Sequence, residues 1–553
     1  MNKNASILWI VKLWGLLILF SACTPSRPTP QIVKKEMQQS PRIYSLYLPL
    51  IKRESITIWL SPSLPSTFSQ KIALPSAYQV VETPVAKTLK IEIGQQAVIS
   101  QWIYALVTPF ASLVQEVSSA DLLASWQGQT AGPFAGHPLL MDVNTHQVLT
   151  ALWGESAPEA VAILDQNELL DFAWNHQPAW AIIPFEALQP RWKVLEVDHF
   201  SPLHRDFDSA SYALSIPISL NGVSNAEGNS HSTPVLPGSV PETNRDPQKL
   251  TTLVMTGVTA LVRATAYAME VQGITYPTQD IGDWLRGADL THISNEVPFA
   301  ADCPAPNPVQ ENVRFCSRDQ YLGLLEEVGA DIIELSGDHF QDWGSAAVLH
   351  TLELYKERGW KYYGGGENLE DGRKALLIED HGNHLAFIGC NAKGGKFAQA
   401  SDSNPGAVPC DLDWMSAEIK RLRQAGYLPI ATFQHQEYYT YAAQADQKAD
   451  FRRMAEAGAV IVSGSQAHQP QTMDFWDGAL VHYGLGNLFF DQYDLTPACR
   501  QGLLDRHIFY DGRYIGLELL PIQFVDYARS RPMTENERTS LLETLFAANG
   551  WRP

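Results

Sequence analysis

Apolar and polar positions in the second half of the chain follow a unit that occurs three times. Each unit has an amphipathic helical stretch, a glycine, a short apolar strand and a polar loop. The predicted strands are ADIIELS, LPIATF and AVIVS, and the glycines before them are Gly329, Gly426 and Gly458. Helices that alternate with strands in this way predict a parallel sheet of the α/β class.

The loops after these strands are rich in side chains that bind metals. They carry Asp338, His339 and Asp342 in the first loop, His435 and Glu437 in the second, and Gln466 and His468 in the third. In α/β sheets, ligands bind beyond the carboxyl ends of the strands, where loops from distant segments converge. We therefore expect the three loops to form one composite site.

The same patterns divide the chain into segments. Residues 55–220 alternate apolar runs such as ITIWLS and WAIIPF with helical stretches, which predicts a first α/β domain. Residues 221–249 are dense in Gly, Ser, Asn and Pro and are typical of a linker. A second α/β domain at 250–525 and a helical tail at 526–553, capped by Thr534, complete the chain.

The N-terminus predicts export. Lys3 and Lys12 precede an apolar segment that is too short to span a bilayer, which takes roughly 20 residues. Small residues before Cys23, and a Ser/Pro/Thr-rich stretch after it, resemble a bacterial lipobox. We expect residues 1–23 to be a signal peptide with a lipobox, residues 24–54 a tether, and Cys23 a lipidated anchor of an extracytoplasmic protein on the cell membrane. An ordinary signal peptide or an uncleaved anchor would also export the chain.

Export favours disulfides over metal-thiolate sites. Cys303 and Cys316, like Cys390 and Cys410, are near in sequence and lie in loop-like stretches, so each pair is a candidate disulfide. The sequence does not fix this connectivity. Cys499 would remain as a free thiol.

The formal net charge of -20 disfavours nucleic acid and anionic lipid as partners. An acidic surface that keeps an exported protein soluble explains the same charge.

Six sequence blocks of the second domain occur in the order of one family. They are LVMTGVTALVR at 253–263, SNEVPF at 294–299, ELSGDHFQDWG at 334–344, FQHQEYY at 433–439, GSQAHQPQ at 464–471 and HYGLGNLFFDQ at 482–492. By these blocks, the domain resembles the poly-gamma-glutamate capsule synthesis protein CapA family, which belongs with the calcineurin-like metallophosphoesterases. The resemblance implies a metallophosphoesterase-like α/β sandwich. The first domain is similar, on a more diffuse pattern, to periplasmic-binding-protein-like domains.

Metallophosphoesterases use two metal ions, and the resemblance implies that this chain keeps one at most. Val258 replaces the Asp of the opening motif, and Gln466 replaces a His. The ligands that the resemblance implies are Glu296, Asp338, His435, His468 and Gln466, for one divalent ion such as Mn, Zn or Fe. An empty site is the alternative.

The resemblance also implies a catalytic His339, with Asp342 as the carboxylate that orients it. It implies substrate contacts from Arg263, Asn295, Glu437, Asn487 and Asp491. A salt bridge inside the domain is an alternative for Arg263, and a turn-forming role is one for Asn487 and Asp491.

Three functions stay open at this point. The first is a CapA-like surface lipoprotein that acts in the biosynthesis or export of an anionic capsule polymer, together with the synthesis machinery. The second is an exported single-metal phosphoesterase. The third is a sensor that binds a small molecule through the N-terminal domain.

Overall fold

Residues 56–85, 88–222 and 240–552 are described by the computed structural model of the protein. Cys23, the signal peptide, the tether and most of the predicted linker lie outside these residues. No helix in the described part of the chain combines the length and the apolar content that a membrane crossing requires.

The N-terminal region is a mixed sheet of nine strands with helices around it, as the alternation of strand and helix patterns predicted. In sheet order, the main path is Tyr78–Val80, Ile56–Leu60, Leu89–Ile93, Ser215–Asn221, Val98–Pro109, Trp180–Pro184, Leu139–Met141 and Val161–Ile163, and Trp192–Val194 pairs with Val98–Pro109. Glu116–Val117 and Glu196–Val197 form a separate pair. The helices are Ser66–Lys71, Ser119–Trp126, Val143–Trp153 and Leu169–Asn175. Ser118 caps the second of them by accepting a hydrogen bond from the Asp121 backbone N–H at 3.0 Å.

The C-terminal region contains two larger sheets that pack face to face. The first has the order Lys361–Tyr363, Ile332–Glu334, Leu290–Asn295, Leu250–Met255, Gln501–Tyr510, Arg513–Val525 and Arg529–Pro532, with Val258–Thr259 and Asn487–Phe489 alongside. The second has the order Leu376–Asp380, Asn383–Asn391, Leu428–Gln434, Ile461–Gly464, Ala479–His482 and Met473–Trp476. Gly365–Gly366 pairs separately with Gly406–Ala407. The protein is therefore of the predicted α/β class.

Helices cover the outer faces of both sheets. These helices are Arg263–Gln272, Gly282–Arg286, Leu322–Glu327, Ser345–Arg358, Leu369–Gly372, Leu412–Gln424 and Ala445–Glu456, whereas Glu535–Ala548 packs against the core between the sheets. One apolar core fills the space between the sheets and includes Phe387 and Leu253. Separate cores lie under the helices on each side. This order of helix, sheet, sheet and helix is a layered sandwich.

The last helix is part of the core. Thr534 and Glu537 form a capping box at its start, as the predicted Thr534 cap requires. Its apolar face, including Leu545 and Phe546, is buried in the inter-sheet core. The segment predicted as a tail also begins with a strand of the first sheet, Arg529–Pro532. The segment predicted as a polar tail therefore contains a helix with one buried apolar face.

The two regions share apolar cores. Phe110 from the N-terminal region packs against Phe475 and Phe546. Residues at the end of the predicted linker also bind the N-terminal sheet, because the Asn244 side chain accepts from the Ile103 backbone N–H at 2.7 Å and donates to its carbonyl at 2.9 Å. The described end of the predicted linker is therefore held against the N-terminal sheet.

Both sequence-near cysteine pairs are bonded in the structure. The Cys303–Cys316 disulfide closes a loop of the first sheet, and Cys390–Cys410 ties a strand of the second sheet to the segment before a helix. Cys499 is buried and forms no disulfide with another cysteine of the described residues.

Because two histidines are buried in the fold, we predict that acid destabilises it. Burial lowers the pKa of His292 to about 3 and that of His507 to about 4. An unfolded histidine has a pKa of about 6.5, so between about pH 6 and pH 4 only the unfolded chain takes up these protons. The free energy of unfolding should fall by up to roughly 1.4 kcal/mol per pH unit for each histidine.

Urea unfolding at pH 7 and pH 5 measures this loss. His507→Gln should reduce the pH slope by up to roughly 1.4 kcal/mol per pH unit, whereas the same change at exposed His384 should leave it unaltered. Equal slopes in wild type and His507→Gln would contradict the prediction.

Candidate metal centre

The carboxyl ends of parallel strands bring the predicted ligands to one edge of the two sheets. Glu296 follows Leu290–Asn295, and Asp338 lies beyond Ile332–Glu334 in the same sheet. The strands before His435 and Gln466 are parallel neighbours in the second sheet. Gly337 allows the first two loops to touch, since a Cβ there would lie 2.5 Å from the Glu296 carbonyl oxygen.

Two buried carboxylates form the centre of the site. Ligand atoms of Glu296, Asp338 and His339 lie within 4.8 Å of one another. Glu296 Oε2 and Asp338 Oδ1 are buried, and neither has a hydrogen-bond partner in the part of the chain that the structure describes. A buried carboxylate oxygen without a partner is costly, so the pair is suited to bind a cation.

Two histidines present one ring nitrogen to the cluster because an oxygen acceptor holds the other. His339 Nδ1 lies 2.7 Å from Asp342 Oδ2, and His468 Nδ1 lies 2.8 Å from Asn487 Oδ1. His339 Nε2 lies 3.9 Å from Asp338 Oδ2, and His468 Nε2 lies 3.7 Å from Glu437 Oε1. Partners of this kind orient metal-binding imidazoles in proteins.

Asp450, a residue that the sequence analysis missed, orients His435. It holds this histidine through Nε2, whereas His339 and His468 are held through Nδ1. His435 Nε2 lies 3.0 Å from Asp450 Oδ2, while Nδ1 is buried without a partner. Asp450 lies on the helix Ala445–Glu456, 15 residues after His435. No local motif marks it, because it reaches His435 across a helix-strand contact.

Lys393 is the second residue that the sequence analysis missed. Its ammonium lies 2.9 Å from Asp338 Oδ2 and also bonds Glu437 Oε1. Glu437 Oε1 accepts a further hydrogen bond from Gln466 Nε2 at 3.0 Å. Although burial acts to raise it, hydrogen bonds from His468 and Lys393 hold the pKa of the Glu437 carboxyl well below its usual range.

The charges of the cluster act strongly on one another. Burial and the negative charge of Asp338 raise the pKa of Glu296 to about 7. Burial opposes the charged form of His339, but its hydrogen bond to Asp342 and the charges of Glu296 and Asp338 raise its pKa to about 9. The two buried carboxylates therefore attract positive charge from several sides.

The residues present fit one divalent ion. Four of the five expected ligands keep a buried atom that has no hydrogen-bond partner among the described residues, and these atoms are Glu296 Oε2, Asp338 Oδ1, His435 Nδ1 and Gln466 Oε1. Carboxylate, imidazole and amide donors suit Mn, Zn or Fe. His435 is not in the group whose ligand atoms lie within 4.8 Å of one another, so it borders the carboxylates at a greater distance.

Val258 supplies no ligand to a second ion. Its side chain is fully buried in a small apolar cluster with Ala260, Val262, Val297, Phe315 and Phe490. The position expected to carry a carboxylate is therefore occupied by hydrocarbon.

Several predicted substrate contacts are engaged inside the protein. Arg263 forms a salt bridge with Asp491 at 3.3 Å, and Asp491 also accepts from the Ala264 backbone N–H at 2.7 Å. Asn295 is buried and donates to the Val297 carbonyl at 2.7 Å and to the Tyr355 hydroxyl at 2.9 Å. Asn487 is bonded to His468, so Arg263, Asp491, Asn295 and Asn487 all have partners inside the protein. Glu437, the fifth predicted substrate contact, lies inside the cluster of the metal centre.

Comparisons with known proteins match the second domain to one family. Residues 252–492 match the family described as bacterial capsule synthesis protein PGA_cap. The capsule biosynthesis protein CapA of Bacillus anthracis is 23% identical over 299 residues, which cover 53% of this chain and 72% of that protein. The PGA biosynthesis protein CapA of Bacillus subtilis (strain 168) is 24% identical over 196 residues, or 34% of this chain and 52% of that protein.

A solved structure is similar as well. The 5'-nucleotidase precursor of Thermus thermophilus aligns with 54% of this chain and 59% of its own at 13% identity and a TM-score of 0.32. Residues 252–492 therefore carry a domain of the PGA_cap family of capsule synthesis proteins, and the chain is similar to the CapA proteins of two Bacillus species.

Proposed function

We propose that the protein is an exported accessory protein of capsule polymer biosynthesis, for a polymer of the poly-gamma-glutamate type, and that its metal centre holds one divalent ion. The observation that carries the proposal is the set of four buried, unpartnered atoms on Glu296, Asp338, His435 and Gln466. The names of the CapA relatives support the link to capsule polymer and its synthesis machinery.

The reaction that this site supports best is hydrolysis of a phosphate ester or a related bond. A divalent ion would supply Lewis acidity and a bound water of lowered pKa. His339, held through Nδ1 by Asp342, presents Nε2 to the same cluster and can deliver a proton to a leaving group. Glu437 and Lys393 form the edge of the cluster on its more exposed side.

Export and membrane anchoring through Cys23 are part of the proposal. Disulfides persist in oxidising compartments, so Cys303–Cys316 and Cys390–Cys410 support an extracytoplasmic location. The sequence around Cys23 supports a lipid anchor.

A second candidate function, polymer binding without catalysis, is favoured by an arginine-lined groove beside the metal centre. The groove has a volume of about 550 Å³. Its lining includes Arg263, Arg314 and Arg318, the amides Asn307, Gln310 and Asn312, and the Cys303–Cys316 disulfide. None of the described residues that line it is acidic. In a chain of net charge -20, such a groove is a local site for an anionic chain.

Arg314 is the arginine of the groove best placed for a ligand. Arg263 is paired with Asp491 and Arg318 with Glu270, whereas exposed Arg314 has no carboxylate partner among the described residues. Its Nε donates to the Asp342 carbonyl at 2.6 Å, which joins the groove to the loop of His339. A polymer in the groove would thus pass beside the metal centre.

Metal content tests the proposed function. The full chain, purified in mild detergent without chelator, should contain about one Mn, Zn or Fe by elemental analysis. Glu296→Gln and His435→Ala should each lose it, because each removes one of few ligands. His384→Ala at an exposed position is the matched control. Absence of metal from the wild type, or equal metal in all variants, would contradict the proposal.

Binding of polyglutamate tests the groove. Arg314→Glu should weaken binding at low salt by roughly 10-fold or more, since a charge-assisted hydrogen bond contributes about 1.5–3 kcal/mol and the new charge repels. Exposed Arg513→Glu makes the same charge change on a strand outside the groove and should have little effect. Equal losses in both variants would indicate a general charge effect and no specific groove.

A further inference from the structure

Lys393 is held rigidly at the edge where the metal ligands gather. It follows the strand Asn383–Asn391, a parallel neighbour of the strand that precedes His435. The Lys393 and Ala392 backbone N–H groups both donate to the Gln434 carbonyl, at 3.1 and 2.8 Å. The Cys390–Cys410 disulfide lies just before this turn. The backbone therefore fixes the position from which the lysine side chain extends.

The Lys393 ammonium lies among groups that would otherwise bind a cation. It contacts Asp338 Oδ2 at 2.9 Å and bonds Glu437 Oε1. His468 Nε2 lies 3.7 Å from the same Glu437 oxygen. Two carboxylates and an imidazole whose other nitrogen is already held are donors of the kind that bind divalent metals. With the ammonium between the carboxylates, the ligand atoms of the three residues do not all lie within 4.8 Å of one another.

The charges of the site agree with one metal ion and one ammonium. The positive charge of a protonated His339 is matched by Asp342, 2.7 Å away, which leaves three negative charges on Glu296, Asp338 and Glu437 when these are ionised. One divalent ion and the Lys393 ammonium supply three positive charges, whereas two divalent ions beside the lysine would leave an excess of positive charge in a partly buried site. An uncompensated buried charge is strongly unfavourable.

We propose that Lys393 is a built-in cation that occupies a second metal position, formed by Asp338, Glu437 and His468, and so restricts the centre to one divalent ion. This inference rests on the proposed metal centre. Lys393 is then a positioning residue. It fixes Asp338 and Glu437 as a metal ion would, but unlike a metal ion it cannot dissociate from the protein. Fully buried Val258, which offers no oxygen on this side of the site, agrees with it.

Manganese stoichiometry tests the inference. The full chain and its Lys393→Gln and Lys393→Arg variants would be dialysed against Mn²⁺, and bound Mn²⁺ per chain measured by elemental analysis. Wild type and Lys393→Arg should bind about one ion. Lys393→Gln removes the ammonium at similar length and should bind a second ion, at least tenfold more tightly than any second ion on the wild type. Unchanged urea midpoints would show that the variants fold.

The outcomes separate this inference from the proposed function. One ion on every form, or two on the wild type, overturns the role of Lys393 and leaves the metal centre intact. No ion on the wild type with binding by Lys393→Gln overturns the resident metal but supports the lysine as a cation. No ion on any form overturns both. A second ion on Lys393→Arg as well would show that charge at this position is not the reason.

Discussion

The repulsion between two buried carboxylates governs the candidate site. Glu296 and Asp338 share one edge of the fold, each with a buried oxygen that has no hydrogen-bond partner. Such a pair is stable only beside positive charge, because neither carboxylate can be solvated by water there. The structure supplies that charge through Lys393 and His339, and the remaining open atoms on Glu296, Asp338, His435 and Gln466 leave a place for one further cation.

The rest of the fold holds this edge in place. The ligand loops leave parallel strands of two different sheets, so their distances depend on how the sheets pack. The inter-sheet core sets that packing, and the C-terminal helix completes it with Leu545 and Phe546. Phe110 adds the N-terminal region to the same core. A loss of this packing would therefore separate the metal ligands even though none of the packed residues touches them.

The sequence predicted the parts of the site that depend on local pattern. The period of helix and strand, and the ligand-rich loops after three strands, predicted that Asp338, Gln466 and His468 meet at one edge. Glu296 came only from the resemblance to the CapA family. Lys393 was missed because the strand before it, Asn383–Asn391, follows a hairpin partner and no helix, so the repeated unit did not include it. Asp450 was missed because a helix surface brings it to His435. A salt bridge inside the domain was one of the two alternatives for Arg263, but its partner Asp491 was not foreseen, because residues 228 positions apart in sequence show no pairing pattern.

The arginine groove and the metal centre meet at Asp342, whose side chain holds His339 and whose carbonyl accepts from Arg314. An anionic chain in the groove would therefore lie next to the group that can deliver a proton, and polymer binding and hydrolysis would depend on the same loop. This arrangement also explains how a chain of net charge -20 could act on an anionic polymer, since the local lining of the groove is basic.

Anomalous diffraction from crystals of the protein grown with Mn²⁺ tests the central claim most directly. The account predicts one manganese peak, bounded by Glu296, Asp338 and His435, with the Lys393 ammonium still between Asp338 and Glu437. Two peaks, a single peak at the Lys393 position, or no peak near these carboxylates would contradict it.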